Sequence, residues 1–303
     1  MIQKDILMRK TLTTFLFTAL MIFIGCEHEK EHNHDDHDHG DGDGTALTLD
    51  NCDASFGNSV SEFYSTYFTC VDVTISGDNT VITSDNLPPY ESWYYSENHS
   101  NYIDFTSQGT GYFLNPNTIS SQDLSVSIPN NPTTKGLVIN DAMVDGSVGT
   151  SNDEYGMSAI GVALNGVAIF NPLAAPPDNI EDEKFSFDLY SGHPTIDGTY
   201  HHHSTTKGPL EVLQHKGLIQ SATVGSAEVE FYGILCDGTL VLGCTELDGS
   251  SPDPSDFDAQ NGHVHDVSDG TTTYFSNRYH THVCSDLGGH GFTPEIQYYE
   301  GCN

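Results

Sequence analysis

Sixteen histidines fall in this chain of 303 residues, and most of those in its body occupy two short, similar segments. Tyr200 to His203 and Tyr279 to His282 both read Tyr-His-x-His. In an extended strand, residues two apart project to the same side. His201 and His203 therefore project together, as do His280 and His282, with Tyr200, His202, Tyr279 and Thr281 turned the other way. Paired imidazoles on a strand are a metal-ligating arrangement. Upstream of each pair stands Asp-x3-Gly-His, Asp188 to His193 and Asp258 to His263, which adds His193 and His263 to the candidate ligands. Asp188, Asp258 and His265 are alternative ligands, or groups that orient an imidazole by accepting a hydrogen bond from its second ring nitrogen.

The donor set narrows the metal. Only Met143 and Met157 remain once the N-terminal segment is set aside, and the cysteines beyond Cys26 are expected to be oxidised, which disfavours a cuprous thioether or thiolate centre. Imidazole with some carboxylate suits Zn²⁺ or Cu²⁺. One ion takes three or four such ligands, so either two centres form or some histidines are structural. Three other readings compete. The histidines could form a satisfied hydrogen-bond network that rigidifies a core without any metal. A metal-dependent hydrolase or oxidoreductase would use an open coordination position and Asp188 or Asp258 as general base. No G-x-S-x-G occurs, and the one H-E-x-x-H, His28 to His32, falls in the acidic, glycine-containing N-terminal segment rather than in the β-like body, so the balance leans against an enzyme. A non-catalytic surface binding or adhesion module would use exposed aromatics such as Tyr90, Trp93, Tyr94 and Tyr95. The acidic loop from Asp248 to Asp258 is a weaker Ca²⁺ candidate without the EF-hand spacing. His99, His215 and His290 stand alone and are expected on the surface.

The elements that must position these residues are strands. Val71 to Ile75 and Leu124 to Ile128 alternate apolar and polar side chains. Thr80 to Thr83 follows Gly77-Asp78-Asn79 and forms a hairpin with the first of these. Val162 to Phe170 is broken by Asn165-Gly166, and Ile234 to Leu242 by Asp237-Gly238, both strong hairpin signals. Val229 to Tyr232 extends the second hairpin. The only helix predicted is a short one over Ser59 to Tyr67. Gly161 to Gly166 matches Gly233 to Gly238, and each hairpin is followed in the same order by Asp-x3-Gly-His and Tyr-His-x-His. Three features in one order point to a duplication, about 155–203 and 229–282. The expected fold is all-β, a sandwich-like or partly closed domain of two hairpin-containing halves spanning 46–303.

The N-terminus reads as an address. Lys4, Arg9 and Lys10 precede an apolar run from Leu12 to Ile24 that is short for a membrane span. Gly25-Cys26 resembles a bacterial lipobox, which implies a signal peptide over 1–25 and lipidation of Cys26; Met1 and Met8 are both possible starts. Residues 26–45 hold His28, His32, His34, His37 and His39 among acidic residues and glycines, and form an expected disordered tether that chelates metal loosely. The expected location is the cell envelope, with the chain anchored through its lipid to the outer membrane at the periplasmic face or cell surface. In that oxidising compartment Cys52, Cys70, Cys236, Cys244, Cys284 and Cys302 form three disulfides, expected in sequential pairs. With 43 Asp and Glu against 9 Lys and Arg, a formal charge of −34, nucleic acid is excluded as a partner.

The ordered motif set resembles the YHYH domain family. The likeness rests on Ala163-Leu-Asn-Gly-Val-Ala-Ile-Phe-Asn-Pro172, Ser191-Gly-His-Pro194 and Asp197-Gly-Thr-Tyr-His-His-His203, then on the second hairpin, Asn261-Gly-His263, Tyr279 to His282 and Gly301-Cys302. Asp85 to Tyr90 is similar to the family's upstream segment, so the likeness runs from about Val71 to Cys302. It implies a β-rich extracytoplasmic module and no settled activity. This chain departs from the pattern in two places. His202 and Thr281 stand where the signature has its second Tyr. Tyr190 and Gln260 stand where a Cys often precedes Gly-His, so the disulfide pattern is not carried over from relatives.

Overall fold

The computed structural model describes residues 44–284 and 291–302. The signal segment, Cys26, the tether histidines and His290 lie outside the described residues. After β1 (Ser55–Phe56) and the helix α1 (Glu62–Tyr67) come β2 (Asp72–Ser76), β3 (Asn79–Ser84) and β4 (Leu124–Pro129). These strands form a four-stranded sheet in the order β1-β2-β3-β4, with β1 parallel to β2 and the rest antiparallel. The alternation read in the sequence holds best where Val73, Ile82, Val126 and Ile128 turn inward and are buried.

The larger sheet follows. Its strands are β5 (Gly161–Ala163), β6 (Ala168–Ile169), β7 (Gly192–Pro194), β8 (Tyr200–His202), β9 (Phe231–Leu235), β10 (Leu240–Leu242), β11 (Gly262–Ser268) and β12 (Thr273–His282). Their spatial order is β11-β12-β10-β9-β5-β6-β8-β7. Each half contributes four strands in mirrored order, and the halves meet at the antiparallel pair β5–β9, where Val162 faces Ile234, Gly161 faces Leu235 and Ala163 faces Gly233. That register is a local two-fold, because Gly161, Val162 and Ala163 correspond by repeat to Gly233, Ile234 and Leu235. The outer strands repeat it. Ala168 and Ile169 pair in parallel with His201 and His202, as Leu240 and Val241 pair with His280 and Thr281. His193 faces His201, and His263 faces His280.

Gly166 occupies the left-handed region (φ +80°) in the first hairpin turn, and a Cβ there would lie 2.5 Å from the Cys70 carbonyl oxygen. The Asn-Gly turn is thus packed against the segment preceding β2. One buried cluster joins Val73, Ile82 and Val126 of the smaller sheet to Val162, Phe231, Ile234 and Leu240 of the larger. Phe63 and Tyr67 of α1 and Phe68 just after it close on Phe231. Neither sheet closes into a barrel, and the all-β, sandwich-like expectation is borne out.

Several expectations are corrected. Helices α2 (Ile180–Glu183) and α3 (Lys207–His215) accompany α1. Helix α3 hides Leu210, Val212 and Leu213 on one side, a stripe that Gly208-Pro209 at its start masked in the sequence. Cys52–Cys70 pairs as expected, but the sequential pairing fails beyond it: the other bridges are Cys236–Cys302 and Cys244–Cys284. Cys236 opens the tight turn before β10 while Cys244 lies beyond β10, and each is carried to a different late segment. Trp93 is 4% exposed, with Tyr90, Tyr94 and Tyr95 also buried, so this cluster is core and the exposed-aromatic adhesion reading loses its residues. The carboxylates proposed for Ca²⁺ are spent on local caps: Asp248 accepts from Ser250, Asp253 from Ser255, and Asp258 from Gln260 and Gly262.

Candidate metal centres

Each Asp-x3-Gly-His segment is a tight turn closed in the same way. The Asp188 amide donates to the Gly192 carbonyl and the Asp258 amide to the Gly262 carbonyl, both at 2.9 Å, with Ser191 and Asn261 at positive φ. The carboxylate then takes the phenol of its own Tyr-His-x-His strand. Tyr200 donates to Asp188 at 2.8 Å, and Tyr279 to Asp258 at 2.6 Å. The glycines are needed because the phenol crosses directly over them: a Cβ at Gly192 would lie 2.5 Å from the Tyr200 ring, and one at Gly262 would collide with the Tyr279 hydroxyl. Asp188 and Asp258 are thus neither ligands nor orienters of imidazole; they clamp the strand that carries the histidines. Burial pushes the Asp188 carboxyl up to about 6, against the pull of hydrogen bonds from Ser92, Tyr200, Tyr190 and Gly192.

With the strands clamped, the imidazoles converge in two separate places. His193 Nε2 lies 3.1 Å from His201 Nε2, which lies 2.9 Å from His203 Nε2, and all three residues are at most 3% exposed. Their second ring nitrogens are engaged. His201 Nδ1 donates to the Thr199 carbonyl (3.0 Å), His203 Nδ1 to the Asn171 carbonyl (2.5 Å), and His193 Nδ1 meets Ser186 Oγ at 2.7 Å. A carbonyl oxygen only accepts, so Nδ1 of His201 and of His203 must carry the proton and their Nε2 atoms present lone pairs. Two lone pairs at 2.9 Å repel unless a cation lies between them. Burial lowers the ordinary imidazole range, to about 3 for His193 and about 4 for His203, so protonation does not supply that cation.

The second centre repeats this with a carboxylate added. His280 Nδ1 donates to the Arg278 carbonyl and His282 Nδ1 to the Gly243 carbonyl. Glu246 lies 3.1 Å from His263 Nε2, 3.1 Å from His280 Nε2 and 3.4 Å from His282 Nε2. Burial pushes its carboxyl up, but the three imidazoles outweigh this and hold it below the usual carboxylate range. In both centres an aromatic ring shields the set: Phe187 stacks on His203 and meets His193 edge-on, and Phe257 does the same to His282 and His263. The donor atoms of Glu246, His263, His280 and His282, and those of His193, His201 and His203, each lie within 4.8 Å of one another and could hold a metal ion. Nitrogens about 3.3 Å apart are what tetrahedral Zn–N bonds of about 2.0 Å require.

Six sequence-predicted ligands are therefore brought together, three and three, at opposite ends of the larger sheet; the two Tyr-His-x-His strands, β12 and β8, are separated by the four strands β10, β9, β5 and β6. His265 is not among them; it is exposed on β11. His202 turns to the other side, as expected, with Nε2 3.1 Å from the Tyr90 hydroxyl. His215 is exposed, while His99 stacks on Tyr95 at 4.1 Å. Sequence reasoning missed Glu246, which one of 43 acidic residues gave no reason to single out. It also missed Phe187 and Phe257, although Phe-Asp precedes x3-Gly-His in both copies and was there to be read.

Clamped strands, buried convergent imidazoles and three disulfides define a duplicated, disulfide-linked β domain suited to an oxidising, extracytoplasmic compartment. The family model described as YHYH protein matches residues 125–252, so the chain carries a YHYH domain. The matched stretch takes in both hairpins, the whole first centre and Glu246, and stops before His263. No curated protein and no solved structure matches the chain.

Proposed function

We propose that this protein binds two divalent transition-metal ions, Zn²⁺ or Cu²⁺, one in each half of its YHYH-type domain over residues 46–303, and does so at the cell envelope. The observation that supports this best is the pair of facing Nε2 lone pairs on His201 and His203, whose Nδ1 protons are held by backbone carbonyls. A hydrogen-bond network would need one of those nitrogens to donate, so the purely structural reading leaves an unpaired repulsion that a metal ion removes. Anchoring through a lipid on Cys26 and a spacer over 26–45 would hold the domain off the outer membrane, with the tether histidines collecting metal loosely beside it.

Metal analysis by mass spectrometry tests this on the full chain with His28, His32, His34, His37 and His39 replaced by Asn, so that the tether does not contribute. Two ions per chain are expected, with His201→Ala and His280→Ala each losing one. Less than one ion after reconstitution, unchanged in both variants, would sink the proposal.

A further inference from the structure

The two centres are built from equivalent elements, yet they differ in one respect. In the second half the Gly243 carbonyl holds His282, and three residues on comes Glu246. In the first half the Asn171 carbonyl holds His203, and three residues on comes Ala174, buried. The carboxylate that completes one centre has an alanine as its counterpart in the other. A different carboxylate approaches the first centre. Glu183, ending α2, places Oε1 3.6 Å from His193 Nε2, but it is not among the donor atoms that lie within 4.8 Å of one another. Its Oε2 is buried with no hydrogen-bond partner, although 28% of the side chain is exposed.

Charge sharpens the contrast. Three neutral imidazoles leave a dication with its full charge in a buried site, where low polarisability makes an uncompensated charge costly. Glu246 offsets one unit of that charge in the second centre. Nothing among the donor atoms of the first centre does, so an anionic donor from solution is favoured there, hydroxide or a small monodentate anion. A cleft of about 210 Å³ is bordered by Lys184, Phe187, Ser204 and Phe292; it shares Phe187 with this centre, and Lys184 follows Glu183 directly in the chain.

Resting on the metal-binding reading above, we infer that the duplicated halves have diverged. The second centre is closed by four protein ligands. The first binds its metal through His193, His201 and His203 and keeps one position for water, hydroxide or a small anion. Glu183 is a positioning residue there: its unpartnered Oε2 accepts a hydrogen bond from the metal-bound water. This is the division between structural and reactive metal sites.

The test is an azide titration of the Co²⁺-loaded full chain lacking the tether histidines, followed by visible absorption, because Co²⁺ reports its coordination directly. Two cobalt ions are expected, of which one responds to azide. The responsive band should be absent in His201→Ala and doubled in Glu246→Ala. Ala174→Glu, which supplies the missing carboxylate, should abolish the response while keeping both ions. Glu183→Gln should tighten azide by roughly tenfold or more, since a nearby like charge is replaced by a hydrogen-bond donor. Two bound ions with no azide response, or a wild-type response that survives His201→Ala, overturns the inference and leaves metal binding standing. Failure to take up cobalt at all overturns the metal-binding reading itself.

Discussion

Replacing Asp188 with Asn should make the protein more stable at neutral pH relative to acid, although Asp188 belongs to the motif that builds the first centre. The carboxylate is 2% exposed, and burial raises it from 3.8 to about 6. An acid raised on folding contributes stability that is fully present below its unfolded value and is lost as pH climbs through its folded value. The window is therefore about pH 4 to 6.5, and a shift of this size corresponds to at most about 3 kcal/mol. Asparagine keeps the acceptor that serves Tyr190, Gly192 and Tyr200, and its amide can face the Ser92 hydroxyl, which also accepts. It cannot titrate. Urea unfolding of both proteins at half-unit steps from pH 4 to 7 isolates this effect, since the buried histidines titrate in both and cancel in the difference. The wild type should lose about 2–3 kcal/mol relative to Asp188→Asn across the window. Curves that stay parallel within about 0.5 kcal/mol, or a wild type that gains with pH, would refute the reasoning about Asp188. Metal content should not change, because Asp188 holds Tyr200 rather than an imidazole.

Gly192→Ala would drive a methyl group into the Tyr200 ring, 2.5 Å away, and should cost roughly 1–3 kcal/mol by the same urea assay while loosening metal from the first centre alone. Replacing Cys244 and Cys284 together with Ser should cost roughly 2–4 kcal/mol. Because the two cysteines lie two residues from Glu246 and His282, metal analysis of that variant should show loss from the second centre and retention in the first.

How much of this was legible in the sequence follows from which interactions are local. The strand periodicity, the two Gly-containing hairpin turns and the pairing of His201 with His203 and of His280 with His282 depend on residues a few positions apart, where backbone geometry alone dictates direction. The duplication was legible too, because order along the chain survives translation into spatial order: β5 to β8 and β9 to β12 are arranged as two-fold copies. Helix α3 was not, since the packing of Leu210, Val212 and Leu213 against the core outweighs the Gly-Pro at its start.

The amino-acid sequence by itself determined the candidate histidines, their pairing on two strands and the repetition of the unit, all consequences of short-range spacing. Only the tertiary structure decided that the six histidines gather as two sets of three, that Asp188 and Asp258 clamp tyrosines, that Cys236 and Cys244 pair with Cys302 and Cys284 rather than with each other, and that Glu246 joins one set where the apolar Ala174 stands at the equivalent place in the other. These depend on which distant segments share a buried space. There the cost of leaving a donor, acceptor or charge unmatched selects the partner, and no spacing in the chain records that choice.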